Sequence, residues 1–406
     1  MAEATRGHAP RDRTAGGGTR VDAGTPAGAG PAPSGAREHA ARDAYRAAGV
    51  DVDAGERAVA LIREAVASTR RPEVVGGLGG FAGAIEIPAG YRRPLLVAST
   101  DGVGTKTALA RAADRLGGLG IDLVAMCADD VVCTGAEPLF LLDYVAVGRL
   151  VPEEVAAVVS GVASGCRTAG CALLGGETAE HPGTMAPADL DLAATCVGVV
   201  ERDEVIDGSA VGAGDVLVGL AASGLHSNGF SLVRRLVAEA GLHLDAPYAG
   251  ILAAHAAGVV SEPDHAGARL GDVLLTPTRI YARTVLAMRA SVRAAGADIH
   301  GIAHVTGGGL PGAVPRIVPD GLAARIHPAA WPMPSVMRLL GTLGGLDDAE
   351  LRATFNGGLG MVVAVPVGGV DAALAAAADA GIAAYVAGEI VPAADLGGAR
   401  YVEVER

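Results

Sequence analysis

Apolar residues recur at two spacings along this chain, and the change from one to the other marks out its elements. Val59, Ile62 and Val66 follow Gly55 at helical spacing and stop near Arg70-Arg71-Pro72, so an amphipathic helix is expected there. The short run Leu95-Leu96-Val97 reads as a strand. From Gly120 to Val132 a helix would bury Val124, Cys127, Ala128 and Val131 on one face. Leu139 to Val147 reads as a strand. Pro152-Glu153-Glu154 then opens a helix, with proline in its first turn and acids facing the positive end of its dipole, and Gly170 closes it. A strand leads into Gly175-Gly176-Glu177, which places an acid at a strand end, and Asp191 to Val200 is another strand. Asp207-Gly208-Ser209 with Gly212 and Gly214 has the composition of a linker. Beyond it come a strand over Asp215 to Ala222, a helix through Leu232, Val233 and Leu236, a helix opening at Thr276-Pro277-Thr278, and strands over Ile299 to Val305 and Met361 to Val365. Strands and helices alternate throughout, which gives an α/β or α+β class.

The pattern is absent from residues 1–43. Rich in Gly, Ala, Pro and Arg, this segment cannot bury enough apolar surface to offset the entropy of ordering, so a disordered extension is expected. It has no apolar core of a secretory signal, and Asp12, Asp22 and Glu38 argue against a transit peptide. A chain of 406 residues is long for one domain, and the linker divides the remainder into domains over 44–209 and 210–406.

Charge and cysteine usage narrow the function. A net charge of −13 argues against nucleic acid or an anionic membrane as the main partner. No uninterrupted apolar run reaches the roughly 18 residues of a membrane helix. The five cysteines show no Cys-x-x-Cys spacing and fit a reducing, cytoplasmic setting. The 60 glycines are about twice the usual share of roughly 7%, which suits a protein built on phosphate loops.

The chemistry gathers where glycine loops meet strand ends. Thr100-Asp101-Gly102-Val103-Gly104-Thr105-Lys106 brings an acid, a flexible backbone and the chain's only lysine together after the Leu95 strand, a candidate anion site. It is not a Walker A loop, because Lys106 follows Thr105 rather than glycine. Gly76-Gly77-Leu78-Gly79-Gly80-Phe81 opens no helix and reads as a lid over a phosphate-bearing ligand, or as an ordinary turn. Asp129 and Asp130 are adjacent acids on an apolar helix, where at least one needs a cationic partner. His226, in Ser223-Gly224-Leu225-His226-Ser227-Asn228-Gly229, sits at a strand-to-helix turn; a structural hydrogen bond is its competing reading.

Taken together, Arg71-Pro72-Glu73-Val74 with the glycine lid, Thr100 to Lys106, Gly120 to Cys127, Gly135 to Phe140, Gly175 to Glu180 and His226 to Gly229 resemble the aminoimidazole ribonucleotide synthetase family, from about Ala44 nearly to the C-terminus. The resemblance implies two α/β domains, the N-terminal ones pairing into a homodimer, with ATP near the junction. It implies ATP-dependent closure of formylglycinamidine ribonucleotide to 5-aminoimidazole ribonucleotide, giving ADP and phosphate. On that basis Gly76, Gly77, Gly79, Gly80, Asp101, Gly102, Gly104, Thr105 and Lys106 would bind ATP, and Asp101, Asp130 and Glu177 would hold Mg²⁺. Lys106 would neutralise the transferring charge, while His226 and Asn228 would handle the substrate and its proton. Asp129 stands where many relatives carry Asn, which leaves open which acid of the pair faces the metal. The wider superfamily, including selenophosphate synthetase and thiamine monophosphate kinase, shares an Asp-Gly loop of this kind, but no cysteine precedes Cys127 as the selenophosphate enzyme would require.

Overall fold

The computed structural model describes residues 42–77 and 80–404. The expected disorder of residues 1–43 therefore falls almost wholly outside the described residues, and the assignment of Gly79 as an ATP contact falls wholly outside them.

Helix α1 (Val52–Ala67) starts where Asp51 accepts a hydrogen bond from the Ala54 amide, an ordinary N-cap. Its buried positions are Ala54, Ala58 and Val66, so Val66 lies on the inner face as expected, whereas Val59 faces solvent. A two-stranded ribbon, β1 (Val74–Val75) and β2 (Ala84–Ile85), flanks the glycine run. Next come β3 (Pro94–Gly102), α2 (Lys106–Ala112), α3 (Gly117–Val132), β4 (Glu137–Val147), α4 (Pro152–Ala169), β5 (Ala172–Glu180) and β6 (Leu190–Glu201). Gly170 ends α4 in the left-handed conformation, φ 84°, as the sequence suggested.

These strands form a sheet in the order β3-β6-β4-β5, antiparallel except for β4 with β5. Alternation along β3 divides the faces: Leu95, Val97, Ser99 and Asp101 point toward the helices, and Leu96, Ala98 and Thr100 point outward. Helices α3 and α4 cover the inner face, packed so closely that a Cβ on Gly120 would lie 2.2 Å from Val158 O.

The second half contributes β7 (Val216–Ala221), α5 (Phe230–Glu239), α6 (Tyr248–His255), α7 (Leu270–Leu274), α8 (Ala282–Ala294), β8 (Gly301–His304), α9 (Gly309–Ala313), β9 (Leu322–Ile326), α10 (Ser335–Gly344), α11 (Asp348–Thr354), β10 (Leu359–Val365), α12 (Val370–Asp379), β11 (Ala384–Pro392) and β12 (Tyr401–Glu403). Its sheet runs β12-β9-β11-β7-β10-β8, with only β12 and β9 parallel. One core joins α3 and α4 to α8, α12 and one side of this sheet; a second, around Leu217, Ile326, Trp331 and Val362, fills the other side. The helix expected at Thr276 begins instead at Ala282. Thr278 spends its amide and hydroxyl on Asp122, and Asp129 accepts the Tyr281 amide, so the preceding residues are held in a non-helical connection.

Candidate active site

Helix α3 organises the site, because three of its acids leave it in different directions. Asp122, fully buried, accepts from the Thr278 amide at 2.7 Å and the Thr278 hydroxyl at 2.6 Å. Lys106 Nζ lies 2.9 and 2.8 Å from its two oxygens. The same ammonium donates to His226 O and Thr276 O, both at 3.0 Å, above the Phe230 ring. Lys106 has no exposed surface and its three N–H donors are taken. Burial draws its pKa down, and Asp122 opposes that shift. In this structure the loop's lysine is thus a strut tying α2 and α3 to the second half, not a cation standing free toward Asp101.

His226 belongs to the same strut. It is buried at φ 60°, lends its carbonyl to Lys106, and accepts the Ser223 amide at Nε2, 3.2 Å away. Burial first, then the charges of His304, Lys106 and Arg279, holds its pKa well below the usual value, so the ring is neutral. Asn228 is half-buried, with Oδ1 3.6 Å from the position a Cβ on Gly307 would occupy, at the glycine loop after β8. The structure does not bring His226 into an open cleft with Asn228.

Asp129 and Asp130 separate cleanly. Asp129 is fully buried against the start of α8, where Oδ1 accepts the Tyr281 amide at 2.8 Å, and burial pushes its carboxyl up to about 7. Asp130 keeps 40% of its side chain exposed and points to the seam between the sheets. Its Oδ1 meets His304 Nδ1 at 2.9 Å and its Oδ2 accepts from Ser99 Oγ at 3.1 Å. Burial works against ionisation of Asp130, but the hydrogen bond and charge of His304 prevail and hold the carboxyl below the usual range. Asp101, half-buried at the end of β3, accepts the Gly102 amide at 2.7 Å; burial and the nearby Asp130 raise its pKa despite that bond. Beside this group lies a cavity of about 330 Å³, lined by Ser99, Asp130, Asp207, His304, Ala313 and Arg316.

The model of the AIR synthase related protein N-terminal domain matches residues 82–200, and that of the C-terminal domain matches residues 212–399. The chain belongs to the AIR synthase related family. It is 52% identical, over 83% of its length and 93% of the relative's, to a phosphoribosylformylglycinamidine cyclo-ligase of Thermosynechococcus vestitus. It is also 52% identical to the cyclo-ligase of Gloeobacter violaceus, over 83% of this chain and 94% of that one. In fold it is similar to the thiamine-monophosphate kinase of Stenotrophomonas maltophilia, with a TM-score of 0.60 at 20% identity, covering 85% of this chain and 95% of that one.

Within this AIR synthase fold the three acids expected to share a metal do not meet. Asp101 and Asp130 sense each other's charge, but Glu177 lies elsewhere. It pairs with Tyr144 inside β5, not at a strand end, and is exposed on the outer face of the sheet, while Asp101 faces inward. Three strand spacings, about 14 Å, also separate the edge strands β3 and β5. Among the described residues no group of three or more His, Cys, Asp or Glu side chains could hold a metal ion.

Gly76, Gly77 and Gly80, expected to form a lid, are exposed, with open space where side chains would project at Gly76 and Gly77. Arg70 anchors the run by donating to Gly76 O at 2.7 Å and Val74 O at 3.0 Å. A cavity of about 250 Å³, lined by Arg63, Arg70, Val75 and Gly77 among others, opens beside it. Gly104 and Thr105 are exposed, and Thr105 Oγ1 meets Ser231 Oγ at 3.1 Å. Sequence reasoning gave no role to His304, Ser99 or Arg316. The available signal was a histidine ending an otherwise apolar strand immediately before Thr306-Gly307-Gly308-Gly309.

Proposed function

We propose that this protein closes formylglycinamidine ribonucleotide to 5-aminoimidazole ribonucleotide at the expense of ATP, as a ligase of de novo purine biosynthesis. The observation that carries the reading is the 52% identity to a cyclo-ligase across 93% of that enzyme's length, including both domains. An amide oxygen is a poor leaving group, so ATP phosphorylates the formyl oxygen. The neighbouring amidine nitrogen then attacks the formyl carbon and loses a proton, and the C–O bond breaks to release phosphate. Such a transfer depends on positioning and charge neutralisation more than on covalent help from the protein.

The chain's residues suit those needs in part. Gly76, Gly77 and Gly80 form a lid free to approach phosphates, and Gly102, Gly104 and Thr105 give the second loop. Asp101 and Asp130 would hold a magnesium ion together with phosphate oxygens, an arrangement that needs only one or two carboxylates. That ion would supply charge neutralisation; Glu177 stands outside any such shell within one chain. Lys106 and His226 serve by fixing the loop and the turn between which the ligands sit. A homodimer and a cytoplasmic location fit the reading. The outward sheet face exposes Leu96, Leu142 and Tyr144 at 62, 40 and 41%, apolar side chains that a partner subunit would cover.

The test is ADP release from the purified chain with ATP and Mg²⁺, with and without formylglycinamidine ribonucleotide. Release that depends on the ribonucleotide and matches 5-aminoimidazole ribonucleotide formed one to one supports the function. Release at the same rate without it rejects the function.

A further inference from the structure

Residues 276–281 are stitched to the turn that carries His226 and Asn228 and to helix α3. Thr276 O accepts from Lys106 Nζ, and Pro277 O accepts from Ser223 Oγ at 2.7 Å. Thr278 gives its amide and hydroxyl to Asp122, and its Oγ1 lies 3.1 Å from Ser227 Oγ. Tyr281 gives its amide to Asp129 and its hydroxyl to Ala221 O at 2.9 Å. Arg279 is the exception in the middle of this segment. It is half-buried and forms no hydrogen bond or ion pair among the described residues. Every other buried or half-buried arginine among them, Arg71, Arg111, Arg289 and Arg352 included, has such a partner. The charge of Arg279 is felt at the His226 and Tyr281 rings, which places it beside the turn. A cation drawn out of water without a counter-charge is costly, and an anionic ligand would supply that counter-charge.

The chemistry of the ligands says which anion. The chain carries a net charge of −13, so a negative ligand has to be met by cations placed locally. In the ribonucleotide the formyl, amidine and ribose groups bring no negative charge, and its phosphate monoester is the one anion. A guanidinium meets a phosphate with two N–H donors at once, in a fixed orientation. The bonds on both sides of Arg279 hold its backbone in place for such a contact. ATP also carries phosphates, but those are assigned above to the glycine loops with Asp101 and Asp130, on the first half of the chain.

We propose that Arg279 is a substrate-contacting residue that binds the phosphate group of formylglycinamidine ribonucleotide, so that discrimination between the ribonucleotide and the corresponding riboside originates here. The proposal rests on the ring-closure function argued above.

Arg279→Gln removes the charge and keeps a polar end, whereas Arg279→Lys keeps the charge and loses the fork. In Arg279→Gln, kcat/KM for the ribonucleotide should fall roughly 10- to 100-fold, the loss of a hydrogen bond between charged groups. For formylglycinamidine riboside, which lacks the phosphate, kcat/KM should stay within about threefold of its wild-type value, and so should KM for ATP. Arg279→Lys should recover part of the loss. A ribonucleotide kcat/KM within about threefold of wild type in Arg279→Gln overturns the proposal. An equal fall for ribonucleotide and riboside overturns it too, because a purely structural role would weaken both alike, and so does an equal loss of ATP affinity. If the variants misfold or the riboside is not turned over, a wild-type crystal structure with the ribonucleotide decides. A phosphate oxygen within hydrogen-bond reach of the Arg279 guanidinium supports the proposal, and a phosphate bound elsewhere overturns it. A wild-type enzyme without ribonucleotide-dependent turnover rejects the ring-closure function itself, a result distinct from any variant's.

Discussion

At the scale of single residues, Lys106 has the most consequences. Its chemistry is that of a buried ion pair, in which removing one partner leaves the other charge uncompensated. Lys106→Met should therefore lower unfolding stability by about 3–5 kcal/mol. Lys106→Arg must fit a larger group into a filled cage and should cost about 1–3 kcal/mol. Urea unfolding of both variants checks this; unchanged midpoints with depressed turnover would instead return Lys106 to the phosphate. What the sequence revealed here was the residue, a sole lysine in a glycine loop, and not its partners. Asp122 sits on the following helix, and the carbonyls of His226 and Thr276 lie 120 and 170 residues away, contacts that no local spacing encodes. The same holds for Asp129 and Asp130. Their order along a helix says that one must face inward, but only the packing of α3 between β3 and α8 decides which.

At the scale of elements, local signals read well where one periodicity or one breaker acts alone. Pro152 and Gly170 bound α4 because proline suits a first turn and glycine a left-handed stop. Glycine misled where it served close approach instead of a turn. Gly175 and Gly176 lie within β5, where a Cβ on Gly176 would collide with the Asp143 carboxylate. Helices α3 and α4 use the same device, for a Cβ on Gly161 would lie 2.0 Å from Gly117 O. Gly161→Ala should push the helices apart and cost about 1–3 kcal/mol, with helical circular dichroism retained below the melting transition. Gly55, in α1 with open space around it, is the control, and alanine there should stabilise by up to about 1 kcal/mol. Equal effects at the two positions would contradict the packing account.

For the whole molecule, the α/β class was legible from the alternation of periodicities. How the halves meet was not, because the seam is made of edge strands β3 and β8 and of buried polar contacts between distant segments. The outward face of the four-stranded sheet gives a prediction at this scale. Leu96→Asp, which places a charge among Leu96, Leu142 and Tyr144, should convert a dimer to a monomer in sedimentation velocity; a wild-type monomer would contradict the proposed pairing.

The central claim is that the formyl oxygen leaves as part of phosphate. Formylglycinamidine ribonucleotide carrying ¹⁸O in the formyl group, turned over with unlabelled ATP in ordinary water, tests this by mass spectrometry of the inorganic phosphate. One ¹⁸O per phosphate, in step with 5-aminoimidazole ribonucleotide formed, is the predicted result. Unlabelled phosphate, with the ¹⁸O in water or retained in the organic product, would contradict it.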